Sequence, residues 1–379
     1  MTPSVTSPVE EAESTSHTDS IFRQDFDSSL HQKYRYASYL PVWNPINELP
    51  PLEAFDFVDK GALADKAKPH LLSAIENHSD ASITNITPRV GSEIVGLQLS
   101  QLTDEQKNEL ALLIAERGVV IFRKQDFKDI GPQKQKEFAQ YFGQLHVHPV
   151  EAQVAGHPEL YSIYVGPDNT HRAKRSSSRL TNTRFHSDVS YEHQPPAYTI
   201  LTMLHSPSTG GDTAWVSTAA AYDRLSPPIR GFLSGLRAEH SGLRQAAQAQ
   251  REGHPVLRAP VTSEHPIVRV HPATGAKSLF VNVSNTTRIV GLREEESEAL
   301  LSLLFRHLST ALDCQVRVRW EEDTVALWDN RATVHTPIPD FSVAEGVDQE
   351  NQEPIFRHAF RITTVGEQPF GVKGLQTVW

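Results

Sequence analysis

The chain has 379 residues, of which 38% are hydrophobic and 22% charged, which is ordinary for a folded globular protein of one large domain or two. Its net charge of −10 at pH 7 gives no reason to expect nucleic acid as a partner, and it has no apolar run long enough to span a membrane. A single cysteine, Cys314, excludes an internal disulfide and, with an N-terminus unlike a signal peptide, indicates a cytoplasmic protein.

The composition divides the chain into three parts. Residues 1–30 are rich in Ser, Thr, Glu and Asp, and we expect a disordered tail there. Residues 31–85 contain tyrosines, Trp43 and several prolines, which predict an irregular arm that packs on the body of the protein. Residues 86–379 carry most of the signals for helices and strands, and we expect them to form the main domain.

The first elements after the arm are predicted to be a strand, a helix and a second strand. The first strand is expected within residues 86–97. Thr103, with Gln106 three residues later, has the pattern of a capping box, so we expect a helix from there to Gly118. The apolar run 119–122 then predicts a short buried strand.

Beyond a second amphipathic helix over residues 131–142, strands dominate the chain. Helices are expected to interrupt them at about 217–235 and 293–309. The predicted strands cover residues 198–204, 212–217, 236–240, 266–271, 278–283, 315–320, 324–328 and 357–364. Many short strands separated by turn residues predict a mainly β fold with flanking helices, built from two facing sheets.

A histidine and a carboxylate lie two residues apart in the segment 184–191. In an extended strand residues i and i+2 point to the same face, so His186 and Asp188 would approach one metal ion from one side. Apolar and aromatic residues surround this pair, and a β-rich run follows it. The same spacing recurs in polar segments that we interpret as solvated loops, at His17/Asp19, His78/Asp80 and His157/Glu159.

The best candidate for a third ligand is His335, which lies far along the chain before Pro337. Two histidines and one carboxylate on one face of a metal leave its other positions open for substrates and O2. This donor set suits Fe(II) and also Zn(II), so the ligands alone leave the metal open. The basic, polar stretch between Gly166 and Phe185 is typical of a solvated loop or of a lid over a site.

Several short motifs follow one another in a fixed order. They are Phe142-Gly143-Gln144-Leu145-His146-Val147-His148-Pro149, His186-Ser187-Asp188, Gly210-Gly211-Asp212-Thr213, His271-Pro272, Phe280-Val281-Asn282, Trp328-Asp329-Asn330-Arg331 and Arg357-His358-Ala359-Phe360-Arg361. Through these motifs, over about residues 86–370, the chain resembles the taurine dioxygenase family of Fe(II)- and 2-oxoglutarate-dependent oxygenases. With its long N-terminal arm it is most similar to the fungal α-ketoglutarate-dependent sulfonate dioxygenases of that family.

The resemblance implies a double-stranded β-helix, or jelly-roll, core of the cupin type, and the use of Fe(II), 2-oxoglutarate and O2. His186, Asp188 and His335 would be the metal ligands and catalytic residues. Thr213 and Arg357 would hold the C5 carboxylate of 2-oxoglutarate. The implied reaction hydroxylates a substrate C–H bond, with succinate and CO2 as co-products, and on a sulfonate it would release an aldehyde and sulfite.

His148, Asn182 and Arg361 fall on positions that bind the primary substrate in the family. Strand alternation points Arg357 and Arg361 into the same cavity, where one dicarboxylate does not readily balance two guanidinium groups. We therefore expect a small anionic substrate, with a sulfonate as the first choice and a carboxylate as the second.

The chain departs from the taurine enzymes where they carry a tyrosine and two phenylalanines. Glu151 stands at the tyrosine position, and Asn285 and, by a looser alignment, Ala246 stand at the phenylalanine positions. These residues predict a wider, more polar pocket and poor activity on taurine. The same oxygenase chemistry on an amino acid, another carboxylate or a biosynthetic intermediate stays open, as do a cupin-like module without turnover and Zn-dependent hydrolysis. The sequence also leaves a homo-oligomer open.

Overall fold

The computed structural model describes residues 34–43, 48–166, 184–341 and 357–372, and this part of the chain is mainly β with flanking helices. The predicted tail at 1–30 lies outside the described residues. The strands are β1 (Pro41–Val42), β2 (Ser82–Asn85), β3 (Ser92–Val95), β4 (Val119–Phe122), β5 (Leu145–His146), β6 (Gln153–Val154), β7 (His157–Val165), β8 (Pro196–His205), β9 (Thr213–Ser217), β10 (Arg237–Ser241), β11 (Thr262–Pro266), β12 (Val268–Val270), β13 (Lys277–Leu279), β14 (Thr286–Ile289), β15 (Gln315–Val318), β16 (Val325–Asp329), β17 (Thr333–Pro337) and β18 (Arg357–Val365). The helices are α1 (Pro69–Glu76), α2 (Asp104–Arg117), α3 (Gly131–Gln140), α4 (Thr218–Arg224), α5 (Pro227–Leu233), α6 (Leu243–Arg251) and α7 (Glu294–Thr310).

Two sheets pack against each other at the centre of the molecule. The larger has ten strands in the order β1-β6-β7-β18-β8-β16-β4-β3-β2, with β5 paired to β18, and the smaller has the order β15-β9-β17. One core cluster contains residues of both sheets, with Met203 and Ala359 from the larger and Trp215 and Val316 from the smaller. This packing fixes β9 and β17 against β18, and these three strands carry the cavity residues described below.

Helices α1, α2 and α3 contribute to a second core cluster that also includes residues of the larger sheet. Leu71 of α1, Ile114 of α2 and Phe138 of α3 are buried in it together with Ile200 and Phe360 of the sheet. Successive side chains of a strand point to opposite faces, so the helices cover one face and leave the other to the smaller sheet and the cavity.

The predicted start and end of α2 are confirmed. The Thr103 hydroxyl accepts a hydrogen bond from the backbone N–H of Gln106, whose side chain accepts one from the backbone of Thr103, so the capping box is formed. Gly118 ends the helix with a φ of 75°, and a Cβ there would lie 2.7 Å from the Thr333 side chain. A residue with a side chain would therefore strain this junction between α2 and β4.

Several predicted boundaries were wrong. The strand expected over 86–97 begins as a turn between β2 and β3, where Gly91 adopts a φ of 84°. The helix expected over 217–235 is split into α4 and α5, because Pro227 has no backbone N–H to continue a helix from α4. His157 and Glu159 lie in β7 rather than in a loop. Helices α1 and α6 and strand β7 were not predicted.

The arm contributes an edge strand and a buried carboxylate to the body. Strand β1 pairs antiparallel with β6. Further along, the Asp59 carboxylate is buried and accepts a hydrogen bond from Arg331, which follows β16. In the described part of the chain, no helix is both long and apolar enough to cross a membrane.

Candidate metal centre

The three predicted metal ligands converge on one point. His186, Asp188 and His335 each offer one ligand atom, and these atoms lie within 4.8 Å of one another. The Nε2 atom of each histidine is 3.7 Å from Oδ1 of Asp188. Within residues 34–43, 48–166, 184–341 and 357–372, this is the one group of His, Cys, Asp and Glu side chains with such spacing.

Backbone pairing holds the two histidines together. His186 and His335 form an isolated antiparallel bridge, in which each backbone N–H donates to the other residue's carbonyl, at 2.9 and 2.8 Å. The expected extended strand through His186 and Asp188 was wrong, because the chain turns directly after the bridge and Val189 has a φ of 32°. A bridge followed by a turn, rather than strand alternation, therefore brings the carboxylate to the histidines.

Asp188 is held through both carboxylate oxygens and its backbone. Thr199 Oγ1 donates to Oδ2 at 2.9 Å, and Arg361 Nη1 donates to Oδ1 at 2.6 Å. The Asn330 side chain accepts from the Asp188 N–H at 3.1 Å and donates to Thr199 Oγ1 at 2.9 Å. Burial alone would raise the pKa of Asp188, but Arg361, the two histidines and Thr199 together hold that pKa below its usual range. The carboxylate therefore stays ionised.

Both histidines are neutral at pH 7. Burial lowers the pKa of His186, and burial together with the neighbouring His186 lowers the pKa of His335 to about 3. His186 Nδ1 donates to the Arg184 carbonyl at 2.9 Å, which assigns its proton to Nδ1 and leaves Nε2 with a free electron pair. Two neutral imidazoles and one ionised carboxylate fit a divalent ion such as Fe(II).

Arg357 and Thr213 line the same cavity as the metal centre. The buried Arg357 donates from Nε to the Gly211 carbonyl at 2.9 Å, and a Cβ on Gly211 would lie 3.3 Å from that nitrogen. Thr213 Oγ1 accepts from the indole N–H of Trp320 at 3.0 Å, so its own proton is available to an acceptor. Trp320 was not predicted, because its position follows from the pairing of β15 with β9.

Arg361 and His148 lie against one aromatic ring in the cavity. The guanidinium carbon of Arg361 is 4.7 Å from the centroid of the Tyr161 ring, and the His148 ring is 5.5 Å from it. Tyr161 lies opposite Arg361 in the ladder of β7 and β18, and it was missed because β7 was missed. The expectation that the Arg361 charge lacks a partner in the protein was wrong, because Asp188 balances it.

Of the other residues predicted to contact the substrate, two line the cavity, one is buried in the core and one lies outside the described residues. Glu151 and Asn285 line the cavity, as expected. The side-chain amide of Asn285 donates to Ser190 Oγ at 3.2 Å. Ala246 is instead buried in a small apolar cluster, so its placement in the pocket was wrong. Asn182 and the basic stretch over 167–183 lie outside the described residues.

The cavity has a volume of about 1110 Å³, and its lining includes two chemically distinct groups of residues, here called the metal end and the arm end. The metal end contains the metal centre with Thr213, Arg357 and Arg361. The arm end is lined by Trp43, Glu151, Arg244, Gln248, Glu252 and His254. Strand β1, next to Trp43, lies three positions from β18 in the larger sheet, which corresponds to about 14 Å between strand axes.

Comparisons with known proteins agree with this architecture. The family model described as "Taurine catabolism dioxygenase TauD, TfdA family" matches residues 82–363. The α-ketoglutarate-dependent sulfonate dioxygenase of Saccharomyces cerevisiae is 41% identical over 341 residues, which cover 90% of this chain and 80% of that protein. The α-ketoglutarate-dependent sulfate ester dioxygenase of Pseudomonas putida is 33% identical, over 76% of this chain and 91% of that protein.

A solved structure shows the same likeness. The crystal structure of a taurine dioxygenase from Burkholderia xenovorans aligns with a TM-score of 0.61 and 32% identity, over 78% of this chain and 94% of that chain. The chain therefore belongs to the taurine catabolism dioxygenase TauD, TfdA family, for which Fe(II), 2-oxoglutarate and O2 are implied.

Proposed function

We propose that this family member is an Fe(II)- and 2-oxoglutarate-dependent dioxygenase that hydroxylates a C–H bond of a small anionic substrate, with a sulfonate as the first choice. The observation that carries this proposal is the convergence of two neutral histidines and one ionised carboxylate in a cavity that also contains two arginines. A sulfonate hydroxylated next to sulfur would break down to an aldehyde and sulfite, with succinate and CO2 as the co-products.

His186, Asp188 and His335 would hold the metal. When bound there, Fe(II) supplies the O2-dependent oxidation that accompanies decarboxylation of 2-oxoglutarate. The contribution of the chain is to orient the ligands: the Arg184 carbonyl keeps the His186 proton on Nδ1, and Thr199 fixes the plane of the Asp188 carboxylate. These hydrogen bonds support a preformed site for His186 and Asp188, whereas His335 is positioned by its backbone bridge to His186.

Arg357 and Thr213 are proposed to hold the C5 carboxylate of 2-oxoglutarate. The bond from Nε to the Gly211 carbonyl fixes the plane of the guanidinium, which favours two parallel hydrogen bonds to a carboxylate. Trp320 occupies one acceptor position of the Thr213 hydroxyl, so that hydroxyl would act towards the carboxylate as a donor. Burial of Arg357 strengthens such a charged contact.

Arg361 and His148 are proposed to bind the substrate anion, and Asn182 joins them on its family position alone. A guanidinium has five N–H donors, so the bond from Arg361 to Asp188 leaves donors for an anion. The names of the yeast and Pseudomonas relatives, a sulfonate dioxygenase and a sulfate ester dioxygenase, support this substrate class. Because Glu151 and Asn285 line a wide cavity, we expect a bulkier or more polar anion than taurine.

The proposal includes the architecture and setting of the enzyme. Residues 86–379 would form the dioxygenase domain around a double-stranded β-helix, with an arm over 31–85 and a disordered tail over 1–30. The facing sheets and the match to the family over 82–363 support this division. The enzyme would act in the cytoplasm on a small molecule, without nucleic acid or a membrane as partner.

Succinate production from a panel of anions tests this function. The purified protein would be supplied with Fe(II), 2-oxoglutarate and O2 and with alkanesulfonates, sulfate esters, amino acids, other carboxylates and neutral analogues. We expect succinate to depend on an anionic substrate, and sulfite to appear with sulfonates. Turnover of carboxylates or amino acids alone would replace the sulfonate assignment. Absence of succinate with every compound would favour a binding module or a hydrolase.

A further inference from the structure

The arm reaches the substrate cavity through one aromatic residue. Trp43 follows β1, is partly buried, and stacks on His254 with ring centroids 4.3 Å apart and planes 11° from parallel. Both side chains line the arm end of the cavity. Trp43 lies outside residues 82–363, which the family model matches.

Both partners of this stack are held in place by backbone hydrogen bonds. On the arm side, the ladder of β1 with β6 fixes the chain before Trp43. Further along the arm, Arg258 Nε donates to the Pro50 carbonyl at 3.1 Å. On the other side, the His254 N–H donates to the Ala249 carbonyl at 2.9 Å, at the end of α6. These hydrogen bonds therefore fix the stack on both sides, and the pair Trp43 and His254 is here called the wall.

Helix α6 adds a polar stripe next to this wall. Arg244, Gln248 and Glu252 are spaced by four residues, which places them on one face of the helix, and all three line the cavity. Beside them, Gln245 accepts a hydrogen bond from the Tyr191 hydroxyl at 2.7 Å, which ties the helix to the segment that carries Asp188. The arm end thus combines a flat aromatic surface with several hydrogen-bonding groups.

The cavity bounded by the described residues is lined both by the metal end and by the arm end. Its volume of about 1110 Å³ is slightly above the usual range for pockets that bind drug-sized ligands. A plain alkyl tail would cover Arg244 and Gln248 with apolar surface, and this costs free energy. A planar group with hydrogen-bonding atoms would instead stack against the wall and pair with the stripe.

We propose that Trp43, His254 and the polar stripe of α6 form a second subsite, which binds a planar, hydrogen-bonding group at the far end of a substrate whose anionic group lies near Arg361. This inference rests on the proposed function for the position of the anion. It makes the arm a determinant of specificity and assigns a substrate class, namely sulfonates that end in an aromatic or heteroaromatic amide.

Equilibrium binding tests the subsite without turnover. Titration calorimetry on the full chain, with Mn(II) and 2-oxoglutarate, would compare taurine, a plain alkanesulfonate and a sulfonate of the same length that ends in a benzamide. The wild type should bind the benzamide compound more tightly than the plain one. This preference should fall about three- to tenfold in Trp43→Ala and be largely kept in Trp43→Phe, because the ring supplies the stacking energy.

Two further variants complete the design. Val42→Ala is the matched control, since Val42 directly precedes Trp43, is 39% exposed and does not line the cavity. Gln248→Ala should also reduce the preference, and it keeps the test valid if Trp43→Ala does not fold. Equal binding of the two long sulfonates to the wild type, no binding of any sulfonate, or an unchanged preference in both Trp43→Ala and Gln248→Ala would overturn the subsite.

Succinate formation by the Fe(II)-loaded wild type separates this inference from the proposed function. A preference that depends on Trp43 without any succinate supports the subsite and contradicts the oxygenase. Succinate from both long sulfonates with no effect of Trp43→Ala or Gln248→Ala on binding supports the oxygenase and contradicts the subsite.

Discussion

Two of the buried clusters of histidine, carboxylate and arginine in the described part of the chain lie close to each other, yet only one of these two is suited to bind a metal. The first is the metal centre of His186, Asp188 and His335 with Arg361. The second, here called the closed cluster, consists of Asp59, Arg269, His271, Asp329, Arg331 and Glu367. Both lie around the turn that connects β16 to β17.

In the closed cluster every hydrogen-bonding group of its histidine is used. His271 Nε2 donates to Asp329 at 2.8 Å, and its Nδ1 accepts from the backbone of Ala273 at 3.2 Å. Arg331 donates to both oxygens of Asp329 at 2.9 and 2.7 Å. The side chains of His271, Asp329 and Arg331 are at most 1% exposed, and none of them lines the cavity of the metal centre.

The metal centre differs because the Nε2 atoms of its two histidines remain available to a ligand. The His186 side chain is 27% exposed, and its Nε2 points with that of His335 towards one oxygen of Asp188, beside the cavity. Residue types alone therefore do not distinguish a set of metal ligands from a structural network of ion pairs. Unprotonated donor atoms that converge next to open space make the distinction.

The largest expected effect comes from breaking the closed cluster. Arg331→Met would leave buried carboxylates without their guanidinium partner, and we expect the free energy of unfolding to fall by about 3–5 kcal/mol. Urea unfolding measures this loss, and the folded fraction should still bind metal. Arg224→Met, at an exposed ion pair with Asp313, is the matched control and should change little. Equal stability of the two variants would contradict the structural role of the cluster.

Next in size is the effect of removing Arg357 from the metal end. If Arg357 anchors 2-oxoglutarate, Arg357→Ala should raise the 2-oxoglutarate concentration required for half-maximal succinate formation about 100-fold, since a paired charged contact is lost. Arg357→Lys should recover part of the loss, because an ammonium supplies the charge without the planar pair of donors. An unchanged 2-oxoglutarate requirement in Arg357→Ala would show that the anchor lies elsewhere.

A smaller effect is expected from the hydrogen bond that orients Asp188. Thr199→Val removes the donor to Oδ2 with little change of shape, and metal affinity should fall about 10-fold or somewhat more. Thr202→Val is the matched control on the same strand, because the Thr202 hydroxyl is buried without a partner among the described residues. Calorimetric titration with Mn(II) compares the metal affinities of the two variants. Equal affinities would show that the hydrogen bond from Thr199 does not support metal binding.

The smallest effect per residue concerns buried histidines away from the cavity. Burial lowers the pKa of His240 and His358 to about 3 and that of His265 to about 2. Since the unfolded chain takes up these protons below a pKa of about 6.5, stability is lost as pH falls through that value. We expect a loss of about 1 kcal/mol per histidine between pH 7.5 and 5.5, measured by urea unfolding in EDTA. Equal stability at the two pH values would contradict their burial.

The local parts of the structure were predictable from the sequence, and the parts that depend on long-range pairing were not. The α2 capping box and the positions of β8, β9, β16 and β18 follow from local patterns. Tyr161 and Trp320 were missed because only the ladders of β7 with β18 and β15 with β9 bring them to the cavity. The bond between Arg361 and Asp188 was missed for the same reason. The catalytic and binding roles stay predictions.

Anaerobic Fe(II) titration of His186→Ala, with His78→Ala as the control, tests whether His186 binds the metal. His78 is an exposed histidine with the same two-residue spacing to an aspartate, but it does not belong to the metal centre. We expect the wild type and His78→Ala to bind Fe(II) and, with 2-oxoglutarate, to develop the weak visible charge-transfer band. His186→Ala should remain folded by circular dichroism and lose both signals. If folded His186→Ala bound Fe(II) about as tightly as the wild type, His186 would not be a metal ligand.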